Sequence, residues 1–201
     1  MAGARTLRPR GERTRRKLLD AGIEVFGRRG LHSARVDDVV TVAETSHGTF
    51  YLYFANKEEL FQALVLDVTA TMTDLAESFG PLSPTAGGRA DLRRWLVRFS
   101  EVHTRWAPVI RAWTEAGTGN RDLGRVGADV LSDFADALSR RIAESRAENL
   151  SPEIAALVVV ALIERLHYYV LVGQVDAPPE VVVDTLAALV EASLFGAPAG
   201  P

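Results

Sequence analysis

The segment VDDVVTVAETSHGTFYLYFANKEELF, residues 36–61, determines the fold of this chain. The spacing of the valines at its start predicts one short helix, and a second short helix is predicted from about Ser46 to Tyr53. Ser46 is suited to cap the second helix, because a serine hydroxyl accepts hydrogen bonds from the free N–H groups of a first helical turn. Two short helices joined by a tight turn, here at residues 34–53, are typical of a helix-turn-helix motif.

The flanking sequence predicts two longer helices. Residues 14–29 place apolar side chains on one helical face, and Gly30 follows as a stop signal. Downstream, Asn56 begins the pattern of a capping box, and apolar residues then recur at helical spacing for several turns. We therefore expect a three-helix head at residues 11–71, preceded by a flexible basic arm at residues 1–10.

The remaining residues are also predicted to be helical. The segment GPLSPTAGG, residues 80–88, contains three Gly and two Pro and marks a break. A second break is predicted at the Trp-Ala-Pro of residues 106–108, and the Ser-Pro of residues 151–152 predicts a helix start. The sequence therefore predicts an all-α fold of about nine helices, with a second helical domain at residues 72–196 and a tail at residues 197–201.

The last two predicted helices indicate self-association. Residues 154–172 are apolar nearly all round, which is typical of a helix that is buried on both faces. The final helix carries a matching apolar stripe, and two such helices from each of two chains form a four-helix bundle around a two-fold axis. We expect a homodimer, and a central helix in a monomeric bundle is the alternative. The predicted interface residues are Leu162, Leu166, Tyr169, Leu186, Leu189 and Val190.

Composition limits the class of protein. Hydrophobic residues make up 47% and charged residues 24% of the 201 residues, which is typical of a soluble globular chain. The absence of cysteine excludes disulfides and thiolate metal sites. The longest apolar run, residues 154–163, is too short for a membrane span, and the N-terminus lacks the apolar region of a signal peptide. We therefore expect a cytoplasmic protein without a membrane partner.

Charge is distributed unevenly along the chain. Residues 1–36 contain ten Lys and Arg against three Asp and Glu, although the net charge of the whole chain is −3. A basic end on an acidic body favours a nucleic-acid-binding head, and a disordered basic tail is the alternative. The four histidines fall in separate elements, and no metal spacing, nucleotide loop or nucleophile with a base is present. The sequence therefore predicts no cofactor, no metal and no enzymatic activity.

Within residues 36–61 the sequence strongly resembles the DNA-binding domain of the TetR family of bacterial repressors. The core of that family reads roughly hydrophobic-Ala-x-x-Ala-Gly-Val-Ser-x-Gly-Thr-Leu-Tyr-x-Tyr-Phe-x-x-Lys-Glu-x-Leu. The resemblance at motif level covers about residues 11–70, and the remainder matches as architecture alone. The matching residues are Ala43, Ser46, Gly48, Thr49, Tyr51, Tyr53, Phe54, Lys57, Glu58 and Leu60.

The resemblance implies a dimeric transcription regulator. Most members of this family are repressors. The resemblance therefore implies that this chain is a repressor, which a small apolar or amphipathic ligand releases from a palindromic double-stranded DNA operator. An activator, a ligand-independent DNA-binding protein and a non-specific architectural protein are the alternatives. The implied DNA-binding residues are Ser33, Arg35, Thr45, Ser46, His47, Gly48, Thr49, Tyr51 and Lys57.

One departure from the family pattern lies in the turn of the motif. Glu44 stands where the family usually has Gly, so we expect backbone strain at this position and a carboxylate directed away from DNA. Arg35 stands near the position of a family hydroxyl and offers a charged phosphate contact instead.

The resemblance also implies a small-molecule effector site in the second domain. Aromatic residues cluster on two predicted neighbouring helices, and a few polar groups lie among them, as in many ligand pockets. Ordinary core packing is the alternative. The candidate ligand-binding residues are Trp95, Phe99, His103, Trp106, Trp113 and Tyr168.

Overall fold

The computed structural model describes residues 9–117, 121–145 and 150–195, which are helical apart from short connections. Within these ranges the chain forms eight α-helices and no strand, so the predicted all-α fold with an N-terminal helix-turn-helix is confirmed. The helices are α1 (Pro9–Ser33), α2 (Val36–Val42), α3 (His47–Tyr51), α4 (Lys57–Glu77), α5 (Ala86–Gly117), α6 (Arg121–Ser145), α7 (Pro152–Leu171) and α8 (Pro179–Phe195).

The chain divides into two compact units. The first contains the described residues of 1–68 and 106–123, and the second contains those of 69–105 and 124–201. The division falls inside α4, between Val68 and Thr69, and the end of α5 belongs to the first unit. A single boundary along the sequence therefore does not separate the two units.

The first unit has an aromatic and leucine core. Phe26 of α1 and Phe61 of α4 meet edge to face, with ring centroids 5.4 Å apart, and both are almost completely buried. Gly22 allows α1 to approach α4 closely, because a Cβ at this position would lie 3.0 Å from Leu60 Cδ2. Leu18 and Phe50 add two further fully buried side chains.

Three local signals act where the sequence predicts them, although α1 begins at Pro9 and not at residue 14. Gly30 interrupts α1 with a positive φ of 69°, which is the stop that its position predicts. Asn56 Oδ1 accepts a 2.8 Å hydrogen bond from the Glu59 N–H at the start of α4, which confirms the predicted cap. Ser151 caps α7 in the same way through Ile154 N–H, at 3.4 Å.

The predicted break at residues 106–108 is wrong. The helix α5 is continuous through Pro108, which is one reason why the described residues form eight helices rather than about nine. Proline removes one helical hydrogen bond, so surrounding contacts must compensate. Pro108 packs over Gly27 of α1, where a Cβ would lie only 2.8 Å from the proline Cβ, and Arg111 Nη2 donates a 2.9 Å hydrogen bond to Gly27 O. These tertiary contacts are not visible in the sequence around residue 108.

The core of the second unit contains an aromatic cluster. The ring of Trp95 lies 4.5 Å from that of Phe79 and 6.1 Å from that of Phe134, between centroids. Its indole Nε1–H donates a 2.9 Å hydrogen bond to Leu75 O, so the polar atom of this buried ring is satisfied.

Two arginine–carboxylate contacts link α5 to α8 within the second unit. Arg89 binds Glu191 in a bidentate manner, with Nε–Oε2 and Nη2–Oε1 distances of 2.6 and 2.8 Å. Arg93 Nε lies 2.6 Å from Asp184 Oδ1. Because Glu191 is buried and Asp184 is exposed, the Arg89–Glu191 pair contributes more to holding α8 in place.

Candidate nucleic-acid interface

A serine cap and a tight turn position α3. Ser46 Oγ accepts a 3.1 Å hydrogen bond from Thr49 N–H and lies 3.0 Å from Thr49 Oγ1. In the turn, Thr45 N–H donates a 2.9 Å hydrogen bond to Val40 O. The hydroxyls of Ser46 and Thr49 are therefore paired with each other at the start of this helix.

Glu44 adopts the conformation that its position predicts. Its φ is +48°, and it is the only non-glycine residue with a positive φ in the described part of the chain. Its carboxylate Oε2 lies 3.7 Å from Lys17 Nζ of α1, so the side chain is directed toward a cation of its own chain. The expected strain at the turn is therefore observed, and the acidic group has a local partner.

The two sides of α3 differ in burial. Phe50 and Phe54 are 0% and 3% exposed and form the apolar underside, with ring centroids 5.8 Å apart. Tyr51 and Leu52 are 56% and 81% exposed. Leu52 is therefore an exposed residue of this surface for which the sequence predicted no role.

Most of the predicted DNA-binding residues are accessible. Gly48 is exposed, and a Cβ added to it would meet nothing closer than Ser46 Oγ at 3.8 Å. The protein itself therefore has no steric need for glycine at this position. The exposed members of the predicted set are Ser33, Arg35, Ser46, His47, Gly48 and Tyr51, and Thr45 and Thr49 are half-buried.

Lys57 is hydrogen-bonded within the chain. Its half-buried Nζ donates three hydrogen bonds of 2.9 Å, to the backbone carbonyls of Leu31, His32 and Ala34. A lysine ammonium has three donors, so all of them are used within the chain. Lys57 therefore holds the connection between α1 and α2, and its phosphate contact stays a prediction.

Several cations of the head have acidic partners. The Arg29 Nη2–Asp38 Oδ1 distance is 3.3 Å, and the Arg28 Nη2–Glu24 Oε1 distance is 2.6 Å. Arg16 contacts Asp20 at 3.3 Å. Three exposed arginines without an acidic partner among the described residues, Arg10, Arg13 and Arg35, supply the free positive charge of the head.

The predicted effector residues divide between the two units. Trp95, Phe99 and His103 lie together in the second unit, with Trp95–Phe99 and Phe99–His103 centroid distances of 5.7 and 5.9 Å. Trp106 and Trp113 belong to the first unit. Tyr168 is half-buried in α7, with the Arg165 guanidinium 5.2 Å from its ring centroid.

Two buried histidines are part of this cluster. The rings of His103 and His167 are 5.4 Å apart, and both residues are 6% exposed. Burial, with a smaller contribution from His167, lowers the pKa of His103 to about 4. Burial also lowers the pKa of His167, whose Nδ1 lies 2.8 Å from Ile163 O and whose Nε2 lies 2.5 Å from Ser100 Oγ. Both rings are therefore neutral near pH 7.

The predicted dimer-interface residues differ in exposure. Leu186 and Val190 are 0% exposed and pack inside the chain, so they are unavailable to a partner, and these two assignments are corrected. Leu162 and Leu166 are half-buried, whereas Tyr169 and Leu189 are exposed. We define the α7–α8 apolar face by the exposed residues Ile154, Leu157, Val158, Tyr169, Val172, Val181 and Leu189.

One helix, α7, is long and apolar enough to cross a membrane by length and composition, and much of it is exposed. The same composition occurs in helices of soluble proteins that pack against other helices. Among the described residues, no group of three or more side chains is arranged to hold a metal ion.

Comparison with known proteins identifies relatives of the head. The family model described as "Bacterial regulatory proteins, tetR family" matches residues 18–64. An HTH-type transcriptional repressor of Streptomyces coelicolor is 32% identical over 114 residues, which cover 56% of this chain and 55% of that protein. The chain spans between 25% and 55% of the length of three curated relatives that it matches.

Solved structures resemble the whole chain. A TetR-like transcriptional regulator from Rhodococcus sp. RHA1 is 26% identical, with a TM-score of 0.66 over 94% of this chain and 98% of that one. A complex of SmeT with triclosan is 21% identical, with a TM-score of 0.66 over 90% of each chain, and shows that the fold is shared.

Proposed function

The chain belongs to the tetR family of bacterial regulatory proteins through its helix-turn-helix head, and we propose that it is a homodimeric, sequence-specific DNA-binding transcription regulator controlled by a small ligand. The observation that carries this proposal is the position of α3. A serine-capped helix exposes His47, Gly48 and Tyr51 while its underside is fixed by the buried rings of Phe50 and Phe54.

The exposed residues of α3 have complementary roles at a major groove. His47 contacts a base edge, and the Tyr51 hydroxyl donates to a phosphate. Gly48 lets the backbone approach the DNA, since any side chain there would project outward from the protein. Leu52, which is 81% exposed, supplies an apolar contact of the kind that recognises a thymine methyl group.

The phosphate charge is matched by the arginines of the head. Arg13 and Arg35 are exposed and have no acidic partner among the described residues, so their charges are available to DNA. Each phosphate contact releases counterions and makes the affinity depend on salt concentration. The basic arm at residues 1–10 extends this contact.

A second chain covers the α7–α8 apolar face. These side chains project from two adjacent helices of the second unit, and a two-fold packing of both helices with their copies would remove them from water. We assign this face to a second copy of the chain rather than to lipid, because recognition of a palindromic operator requires two DNA-binding heads. Two heads related by a two-fold axis would read half-sites about 34–36 Å apart.

The effector is proposed to be a small apolar or amphipathic molecule. Trp95, Phe99 and His103 form an aromatic cluster with neutral polar groups, and the similar SmeT structure is a complex with triclosan. Such a ligand regulates DNA binding if its affinity is higher for the conformation that does not fit the operator than for the conformation that does. We propose release from the operator, and therefore repression, on the basis of the repressor named among the relatives.

Selection of DNA from a randomised double-stranded library by the full-length chain tests this function. We expect enrichment of one palindromic sequence, protected as two half-sites in a footprint. Gly48→Ala should weaken binding to the enriched sequence at least about 10-fold while the protein stays folded, because only the DNA side meets the added methyl group. Gly80→Ala is the matched control, since a Cβ there meets nothing within 4 Å and one at Gly48 meets only Ser46 Oγ, at 3.8 Å. Enrichment of no sequence would refute the proposal.

A further inference from the structure

One contact in the helix-turn-helix joins its two helices through side chains. His47 is the first residue of α3, and its Nε2 lies 2.5 Å from Oδ1 of Asp37, in the first turn of α2. Both side chains are largely exposed, at 55% and 72%. A carboxylate can only accept hydrogen bonds, so the contact places the proton on Nε2 and leaves Nδ1 as the ring nitrogen available to another partner.

The other acidic residues of the motif have different partners. Asp38 accepts a 3.0 Å hydrogen bond from the Arg35 N–H and faces Arg29. Glu44 faces Lys17. The carboxylate of Asp37 is thus the one acidic group of residues 34–53 that is directed to a residue of α3.

We infer that Asp37 is a positioning residue for base recognition, which fixes the orientation and tautomer of His47 on the DNA-binding surface. The inference rests on the proposed function. An exposed imidazole otherwise samples several rotamers, and a tethered ring loses less conformational entropy when it contacts a base. In the tautomer that carries the proton on Nε2, Nδ1 is an acceptor, and its matching partners in the major groove are the N6 amino group of adenine and the N4 amino group of cytosine.

If Asp37 acted only through its charge, its removal would have a different effect on DNA binding. A negative charge beside a polyanion weakens binding to every DNA sequence, so its removal would strengthen affinity without changing base preference. A positioning role instead makes base preference depend on Asp37 at the base pair that His47 reads. The two roles are therefore distinguished by specificity and not by affinity.

The experiment compares wild type, Asp37→Ala, Asp37→Asn, His47→Ala and the Asp37→Ala/His47→Ala double variant in selection from a randomised double-stranded DNA library. We expect Asp37→Ala and His47→Ala to lose preference at the same base pair, by about 10-fold, and the double variant to lose no more than His47→Ala. Asp37→Asn retains the preference, because its amide oxygen still accepts from Nε2–H. Glu58→Ala, which removes an exposed acid from the first turn of α4, leaves it unchanged.

Two results would overturn the inference while leaving the proposed function intact. If Asp37→Ala bound all sequences more tightly with unchanged base preference, or changed the preference at a different base pair from His47→Ala, Asp37 would not position His47. Circular dichroism of each variant tests whether the helices stay intact, and we expect no change because the substituted side chains are exposed. If wild type enriched no sequence at all, the proposed function would fail together with this inference, so enrichment by wild type distinguishes a failure of the inference alone from a failure of both.

Discussion

Lys57 Nζ donates a 2.9 Å hydrogen bond to the backbone carbonyl oxygen of Ala34, which joins the first residue of α4 to the connection between α1 and α2. Two further bonds of the same length reach the carbonyls of Leu31 and His32. The last carbonyls of a helix lack helical partners, so a cation that binds those of Leu31 and His32 satisfies groups that would otherwise depend on water. Lys57 thereby stabilises the frame on which α2 and α3 are mounted.

Lys57→Met is expected to lower the free energy of unfolding by about 2 kcal/mol, because hydrogen bonds to a charged group in a half-buried site are lost together. The midpoint of urea denaturation measures the change. Lys17→Met is the matched control, since Lys17 is the only other lysine in the sequence and its side chain is 63% exposed. The control should change stability by less than about 0.5 kcal/mol.

The same variant separates the two interpretations of Lys57. A lysine that binds a phosphate contributes about one unit to the slope of log affinity against log salt concentration. Because the three donors of Lys57 are used within the chain, Lys57→Met should leave that slope unchanged. A slope reduced by about one, with unaltered stability, would restore the phosphate contact that the sequence predicts.

Glu44→Gly is expected to stabilise the head by about 1 kcal/mol. Glu44 has a φ of +48°. This backbone conformation is unfavourable in free energy for a residue with a Cβ and nearly neutral for glycine. The ion pair with Lys17 that is lost is exposed and contributes little. Glu44→Ala is the control, because it removes the same carboxylate while keeping the Cβ. Equal unfolding free energies for the glycine and alanine variants would show that the backbone at Glu44 is not strained.

Leu157→Glu is expected to convert the dimer to a monomer. Leu157 is 55% exposed on the α7–α8 apolar face, and a charge there would have to be desolvated in the proposed interface. Light scattering after size-exclusion chromatography measures the mass. Leu66→Glu is the control, because Leu66 is 66% exposed on α4 of the first unit. A wild-type chain that is monomeric at micromolar concentration, or a Leu157→Glu chain that stays dimeric, would contradict the proposed interface.

Residues whose role depends on their own neighbours in the sequence were predicted correctly. Ser46, Asn56 and Ser151 act on backbone groups three residues away, so spacing alone identifies them as caps. Gly30 and Glu44 are likewise identified by the turn conformation that their positions require. The helix-turn-helix consists mainly of such local features, which explains why residues 36–61 suffice to predict it.

Contacts between distant parts of the chain were not predicted from the sequence. Lys57 finds its acceptors 23 to 26 residues away, and Pro108 finds Gly27 on another helix. The burial of side chains on α8 likewise depends on contacts with other helices. Leu186 and Leu189 lie in one apolar stripe of the sequence, yet only packing in the fold decides that the first is buried and the second is exposed.

His103 makes stability sensitive to acid. Burial, with a smaller contribution from His167, lowers its pKa from 6.5 to about 4 in the folded chain. Between these values the unfolded chain binds a proton that the folded chain does not, so the free energy of unfolding decreases as pH falls through this window. The expected loss between pH 8 and pH 5 is about 2 kcal/mol from this residue, and His167 adds to it in the same direction.

His103→Phe removes the titrating group and keeps a ring to stack on Phe99, whose centroid lies 5.9 Å away. Urea denaturation of both proteins at pH 8 and pH 5 measures the difference, and the variant should lose about 2 kcal/mol less than wild type on acidification. His103→Gln, which keeps a polar group but does not titrate in this range, provides a second variant if the larger ring disturbs packing. An acid-induced loss as large as that of wild type in both variants would show that His103 is not held neutral by burial.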